Sequence, residues 1–158
     1  MADSVLNNMK AERFNLIKAC RNFLQLKIDV LEKGLNGLKE DLENESKSSA
    51  GDKYETGREM INIEWNKLSA QLNEYEKLGN ILKRIENHKP SGEVRLGSIV
   101  RTRLANYFIS IPAGEISTQD NKFFAVGIQA PVAQKLLGKQ EGDHFEMNGK
   151  TFRINTVS

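Results

Sequence analysis

Residues 17–42 read IKACRNFLQLKIDVLEKGLNGLKEDL and residues 61–85 read INIEWNKLSAQLNEYEKLGNILKRI. In the first stretch Ile17, Cys20, Leu24, Ile28, Leu31, Leu35, Leu38 and Leu42 recur at alternating steps of three and four, with one extra four-step near Leu24. In the second, Ile61, Trp65, Leu68, Leu72, Tyr75, Leu78, Leu82 and Ile85 repeat the spacing with one slip around Gly79. Such spacing lines apolar side chains along one narrow stripe of a helix, which is a coiled-coil seam. Neither stretch contains proline. A stripe this narrow has one natural partner, the other stripe, so the pattern predicts a long antiparallel helical hairpin over residues 1–88, with Trp65 and Tyr75 in its core. At 1.5 Å rise per residue, helices of about 30 residues make a rod of about 45 Å, which is expected to project from any globular body.

Between the two stretches, residues 44–53 read NESKSSAGDK, polar and small, with Gly51 available for a turn that other residues resist. This is the expected tip, at about 44–55. Residues 87–93, NHKPSGE, combine Pro90 and Gly92 with polar neighbours and end the helical period, which marks a domain boundary near 88/89. Beyond it the pattern changes to VRLGSIVRTR, ANYFISI, KFFAVGI, HFEM and TFRINTV, short runs rich in β-branched and aromatic residues that read as strands. Asn148-Gly149 signals a two-residue hairpin turn. In APVAQKLLG, residues 130–138, Pro131 suits a first helical turn and Gly138 a C-terminal cap. The prediction is an α+β chain: a helical hairpin, then an antiparallel sheet over 89–158 with one short helix. Neighbouring aromatics in Tyr107-Phe108 and Phe123-Phe124 point to opposite faces of a strand, so one of each pair is expected to be exposed.

Composition agrees with a divided chain. Of 158 residues, 28% are charged and only 7% aromatic, rich in charge and poor in bulky core for a single globule. The net charge of +2 demands neither a nucleic acid nor an anionic membrane. Residues 1–88 hold 14 Lys/Arg against 15 Asp/Glu, and residues 89–158 hold 9 against 6, so the basic surplus lies in the second half. Cys20 is the single cysteine, which rules out an intrachain disulfide. The opening MADSVLNNMKAERF has no apolar segment of the kind that directs export, and no run reaches the length of a membrane span. A cytoplasmic location is expected.

The second half resembles a known family. Gly97-Ser98-Ile99-Val100, Tyr107-Phe108, Pro131 at the start of a short helix, and Leu136-Leu137-Gly138-Lys139 followed by Gly142-Asp143 look like the C-terminal domain of the bacterial GreA/GreB transcript-cleavage factors. The resemblance covers roughly residues 93–157 and implies an FKBP-like fold there. It also implies a function. Those elongation factors carry a helical hairpin that enters the secondary channel of RNA polymerase, with an aspartate and a glutamate in a G-D-x-x-E arrangement at its tip. Here Gly51-Asp52-Lys53-Tyr54-Glu55 reproduces that arrangement. This chain is similar to a divergent member: Thr56-Gly57 follows Glu55 where the family has Asn-Ala, and Ala130 precedes Pro131 where the family has Ser.

What the resemblance implies is an accessory factor rather than an enzyme in its own right. Asp52 and Glu55 would act inside the polymerase, completing a site for Mg²⁺ shared with it, and no cofactor is expected in the free protein. Carboxylate oxygens are hard ligands that suit Mg²⁺, an ion that keeps several waters, and two-metal phosphodiester cleavage needs both a second ion and an oriented water. RNA polymerase is the expected partner, with contact to nascent RNA through Lys10, Arg13, Lys18 and Arg21 as an option. Neither a membrane nor a small-molecule substrate is expected. Spacing alone leaves another reading open, since Asp-x-x-Glu before a helix is also a capping-box variant with Asp52 at the N-cap. A regulator that binds the same channel without promoting cleavage is a close alternative, and an FKBP-like peptidyl-prolyl isomerase or interaction module is the rival from another class. Cys20 lies on the seam and reads as packing. His88 and His144 have no metal-ligand spacing around them.

Overall fold

The computed structural model describes residues 2–47, 51–89, 91–119 and 121–158, and the side chains of all of these except 46, 47 and 51–54. Two long helices come first, α1 (Ala2–Lys47) and α2 (Gly51–Ile85). Six strands and one short helix follow: β1 (Ile99–Thr102), β2 (Asn106–Ile109), β3 (Gly114–Ser117), β4 (Lys122–Val126), α3 (Pro131–Leu136), β5 (His144–Met147) and β6 (Lys150–Val157). The chain is α+β. It packs as two compact units, one of residues 24–78 and one that joins residues 1–23 to 79–158.

The strands form one sheet in the order β3-β4-β2-β1-β6-β5. The antiparallel sheet expected from the sequence needs a correction, because β2 and β4 pair in parallel, Tyr107 opposite Phe124 and Ile109 opposite Val126. After β2 the chain passes through Pro112, which has no N–H to give a ladder, and steps outward to form the edge strand β3. The β3–β4 hairpin then folds β4 back into the gap, antiparallel to β3 and so parallel to β2. The strand β3 was not expected at all: GEIS has one apolar side chain, Ile116, too little to register as an alternating pattern. At the other edge the Asn148-Gly149 turn is found as expected, with φ of 53° and 78° and Met147 facing Lys150.

Both faces of the sheet are apolar. On one, Val100, Tyr107, Ile109, Phe145 and Ile154 pack with Ala133 and Leu136 of α3 in one buried cluster. Pro131 opens α3, and Gly138, with φ of 82°, follows its C-cap and donates to the carbonyl of Val94 at 2.9 Å, tying the helix end to the chain entering β1. Side chains alternate along a strand, so Ile99 and its cross-strand partner Phe108 belong to the opposite face. α1 as far as Phe23 and the end of α2 belong to the same compact unit as the sheet, Cys20 Sγ lies 3.9 Å from Ser110 Oγ, and Leu16, Ile17, Cys20, Leu82 and Ile85 are buried, as are Ile99, Phe108 and Phe123. Each such side chain removed from water contributes about 1.5–3 kcal/mol. The expectation that one aromatic of each strand pair lies exposed is thereby overturned, because Phe108 and Phe123 are fully buried and Tyr107 nearly so. Phe124 is half-buried, its ring 6.2 Å from Tyr107 and 5.6 Å from the Lys122 ammonium.

Among the described residues of the unit 24–78 only Leu24 and Leu31 are buried, while Ile28, Leu35, Leu38, Leu42, Ile61, Leu68, Leu72 and Tyr75 are half-buried. Trp65, expected in the core, is 40% exposed. A helix with a single partner is covered from one side, and an indole is too broad for that cover to enclose. Gly34 comes close to α2, since a methyl group there would stand 3.0 Å from Leu68 Cδ1.

Candidate functional site

The residues singled out at the expected tip lie where α1 ends and α2 begins. Helix persists further than the composition of 44–53 suggested: α1 runs to Lys47 and α2 starts at Gly51, which leaves residues 48–50 between them. Ser, Asn and Lys are poor evidence against helix when the chain on either side is already helical, because propagation is far easier than nucleation. The backbone of Asp52 is inside the first turn of α2, so the reading in which Asp52 is the N-cap residue is not the backbone found. Its side chain falls outside the described residues. Glu55 is described and exposed.

A carboxylate that the sequence did not single out joins this region. Glu45, half-buried on α1, lies against the backbone of α2 at Gly57, where an added methyl group would stand 2.9 Å from Glu45 Cδ and Oε2. A side chain at Gly57 would make the Glu45 carboxylate shift, which the flexible end of a glutamate can do. The signal was present in the sequence as Thr56-Gly57, a glycine inside a helix where propensity disfavours it by about 1 kcal/mol.

The four basic residues of α1 separate into two roles. Arg13 donates from its guanidinium to the carbonyl of Gly97, and Arg21 pairs with Glu86, so both are committed to the fold of their unit. Among the described residues Lys10 and Lys18 are in no ion pair. Between them, Phe14 is 67% exposed, and Leu6, eight residues before it, is 45% exposed. These residues flank a groove of about 760 Å³ that also takes in Met9, Ile17, His88 and Ile99.

His88 sits beneath this groove. Its Nδ1 would be 2.6 Å from a methyl group at Gly97, whose φ of 93° only glycine adopts freely, so the two residues fit each other. Burial first, then the charges of Arg13 and Arg95, push the His88 imidazole down to about 4, with a hydrogen bond to the Leu96 backbone opposing them. Cys20 is buried 3.9 Å from Ser110 Oγ, and burial pushes its thiol up to about 11, which leaves no thiolate for chemistry at neutral pH. Among the described residues no three His, Cys, Asp or Glu side chains converge to hold a metal ion, and no helix is long and apolar enough to cross a membrane. Comparison with protein-family models and with curated proteins finds no match to this chain.

Proposed function

We propose that this chain is a Gre-like accessory factor of bacterial transcription, which binds RNA polymerase at its secondary channel and acts with carboxylates carried on a helical hairpin. The observation that supports it best is the pairing of α1 with α2: Gly34 approaches Leu68, and Glu45 approaches Gly57. Moving forward along one helix matches moving backward along the other, the register of an antiparallel hairpin, and only residues 48–50 separate the helix ends. A second support is the Leu136-Leu137-Gly138-Lys139 and Gly142-Asp143 string. It falls on the end of α3 and the turn into β5, where Gly138 and Gly142 both take positive φ.

Asp52 and Glu55 are three positions apart in α2, and residues so spaced are neighbours on a helix surface. Two carboxylates offer hard oxygen donors that fit Mg²⁺ but are too few to fill its shell, so the ion is held jointly with the polymerase. The chain's own contribution is charge at the reacting phosphodiester and orientation of a water. An FKBP-like fold for residues 89–158 and a cytoplasmic location belong to the same proposal.

The test is binding to RNA polymerase followed by cleavage in stalled, backtracked complexes. With Asp52→Asn or Glu55→Gln, polymerase binding is expected to persist while cleavage falls by about 100-fold or more, as for loss of a transition-state charge contact. A wild-type protein that binds without stimulating cleavage at any Mg²⁺ concentration replaces this mechanism with that of a non-cleaving channel regulator. Failure to bind removes the proposal.

A further inference from the structure

The groove beside the first turns of α1 belongs to the compact unit of residues 1–23 and 79–158, and it has no role in the chemistry of the tip. In the outer row of its α1 wall Leu6, Lys10, Phe14 and Lys18 follow one another at intervals of four, so that apolar and cationic side chains alternate along the helix. A second row, Met9 and Ile17, lies deeper. Phe14 is 67% exposed beside buried Ile17 and Ile99, and Lys10 and Lys18 flank it on the same row of the helix.

Two features choose the occupant. From Leu6 to Arg21 the groove follows α1 for about 22 Å, an elongated trough rather than an enclosed pocket. Lys10 and Lys18 stand about 12 Å apart along it, with Phe14 midway. A ligand with a single acidic headgroup satisfies one ammonium and leaves the other. A helix with carboxylates seven or eight residues apart and large apolar side chains between them satisfies both and covers Phe14 and Leu6. We infer that this groove docks an acidic amphipathic helix of a partner protein, held by apolar contact at Phe14 and Leu6 and by carboxylates at Lys10 and Lys18. This helix-in-groove mode depends on anchors at helical spacing, with charge setting orientation and rate.

The probe is a fluorescein-labelled helical peptide of about 16 residues, long enough to span the groove, with leucines at i, i+3, i+4 and i+7 and glutamates flanking them. Fluorescence anisotropy with the full chain is expected to show binding that weakens with added salt. Phe14→Ala, and separately Lys10→Glu with Lys18→Glu, each weaken it by about tenfold or more, while Leu104→Ala, at an exposed residue away from the groove, leaves it unchanged. All these positions are exposed, and circular dichroism checks that each variant stays folded. Equal binding of a peptide carrying lysines in place of the glutamates overturns the inference. So does binding of oleate or of phosphatidylglycerol vesicles with none of the acidic peptide, or no binding at all. The outcome is independent of polymerase binding, since the tip carboxylates are unchanged in every variant.

Discussion

At the scale of single residues, His88 has the environment with the plainest consequence. Its Nε2 is buried and has no hydrogen-bond partner among the described residues, and Arg13 and Arg95 add positive charge nearby. The imidazole is therefore kept neutral in the folded chain to about pH 4, whereas in the unfolded chain it takes a proton near its ordinary value of 6.5. The unfolded state binds more protons across that interval, so stability rises with pH there. The contribution is fully present above about pH 6.5 and is lost progressively as pH falls toward 4. Urea unfolding midpoints at pH 7 and pH 5 are expected to differ, with the lower value at pH 5, and His88→Gln should flatten that slope. A slope unchanged in the variant would assign the acid sensitivity to other groups.

At the scale of elements, the glycines of the two helices report how closely α1 and α2 approach. A glycine inside a helix is less stable than alanine by about 0.5–1 kcal/mol, unless a methyl group has nowhere to go. Gly37 and Gly79 have open space where a methyl group would stand, whereas at Gly34 it would meet Leu68 Cδ1 at 3.0 Å. Gly37→Ala is thus expected to raise the unfolding free energy by about 0.5–1 kcal/mol, and Gly34→Ala to gain clearly less or to lose. Thermal denaturation of the two variants decides the matter. Equal gains would mean that Leu68 does not lie over Gly34, which removes a contact that supports the proposed hairpin.

At the scale of the whole molecule, the sheet depends on helix residues that lie outside the stretch that composition marks as β-rich. Residues 89–158 alone would expose the face made by Ile99, Phe108 and Phe123, which Leu16, Cys20, Leu82 and Ile85 otherwise share in burial. Two shortened chains separate the possibilities. One joins residue 23 to residue 79 through a flexible Gly/Ser link and keeps the compact unit intact; the other is residues 89–158. The first is expected to unfold cooperatively, and the second to be markedly less stable or to bind a hydrophobic dye. Equal stability of the two would show that the helix residues are not part of that core.

Much of this was legible in the sequence because it is local. Heptad-like spacing from Ile17 to Ile85 depends on the helical period alone, and the Asn148-Gly149 turn and the Pro131-to-Gly138 helix depend on the φ angles those residues favour. Gly51-Asp52-Lys53-Tyr54-Glu55 is likewise a local pattern, and the backbone of α2, starting at Gly51, sets its place relative to the helix end. What only the tertiary structure decided is non-local. The parallel entry of β4 beside β2 follows from chain routing around Pro112 and not from any residue in either strand. Phe108 and Phe123 are buried in a compact unit that also holds α1 as far as Phe23 and the end of α2, and strand alternation cannot reveal what covers a face. The placement of Glu45 against Gly57, and of Phe14 beside His88 and Ile99, required two segments to meet. Local period and dihedral preference are properties of the chain at one place, whereas cover and proximity exist only once separate parts of it have packed together.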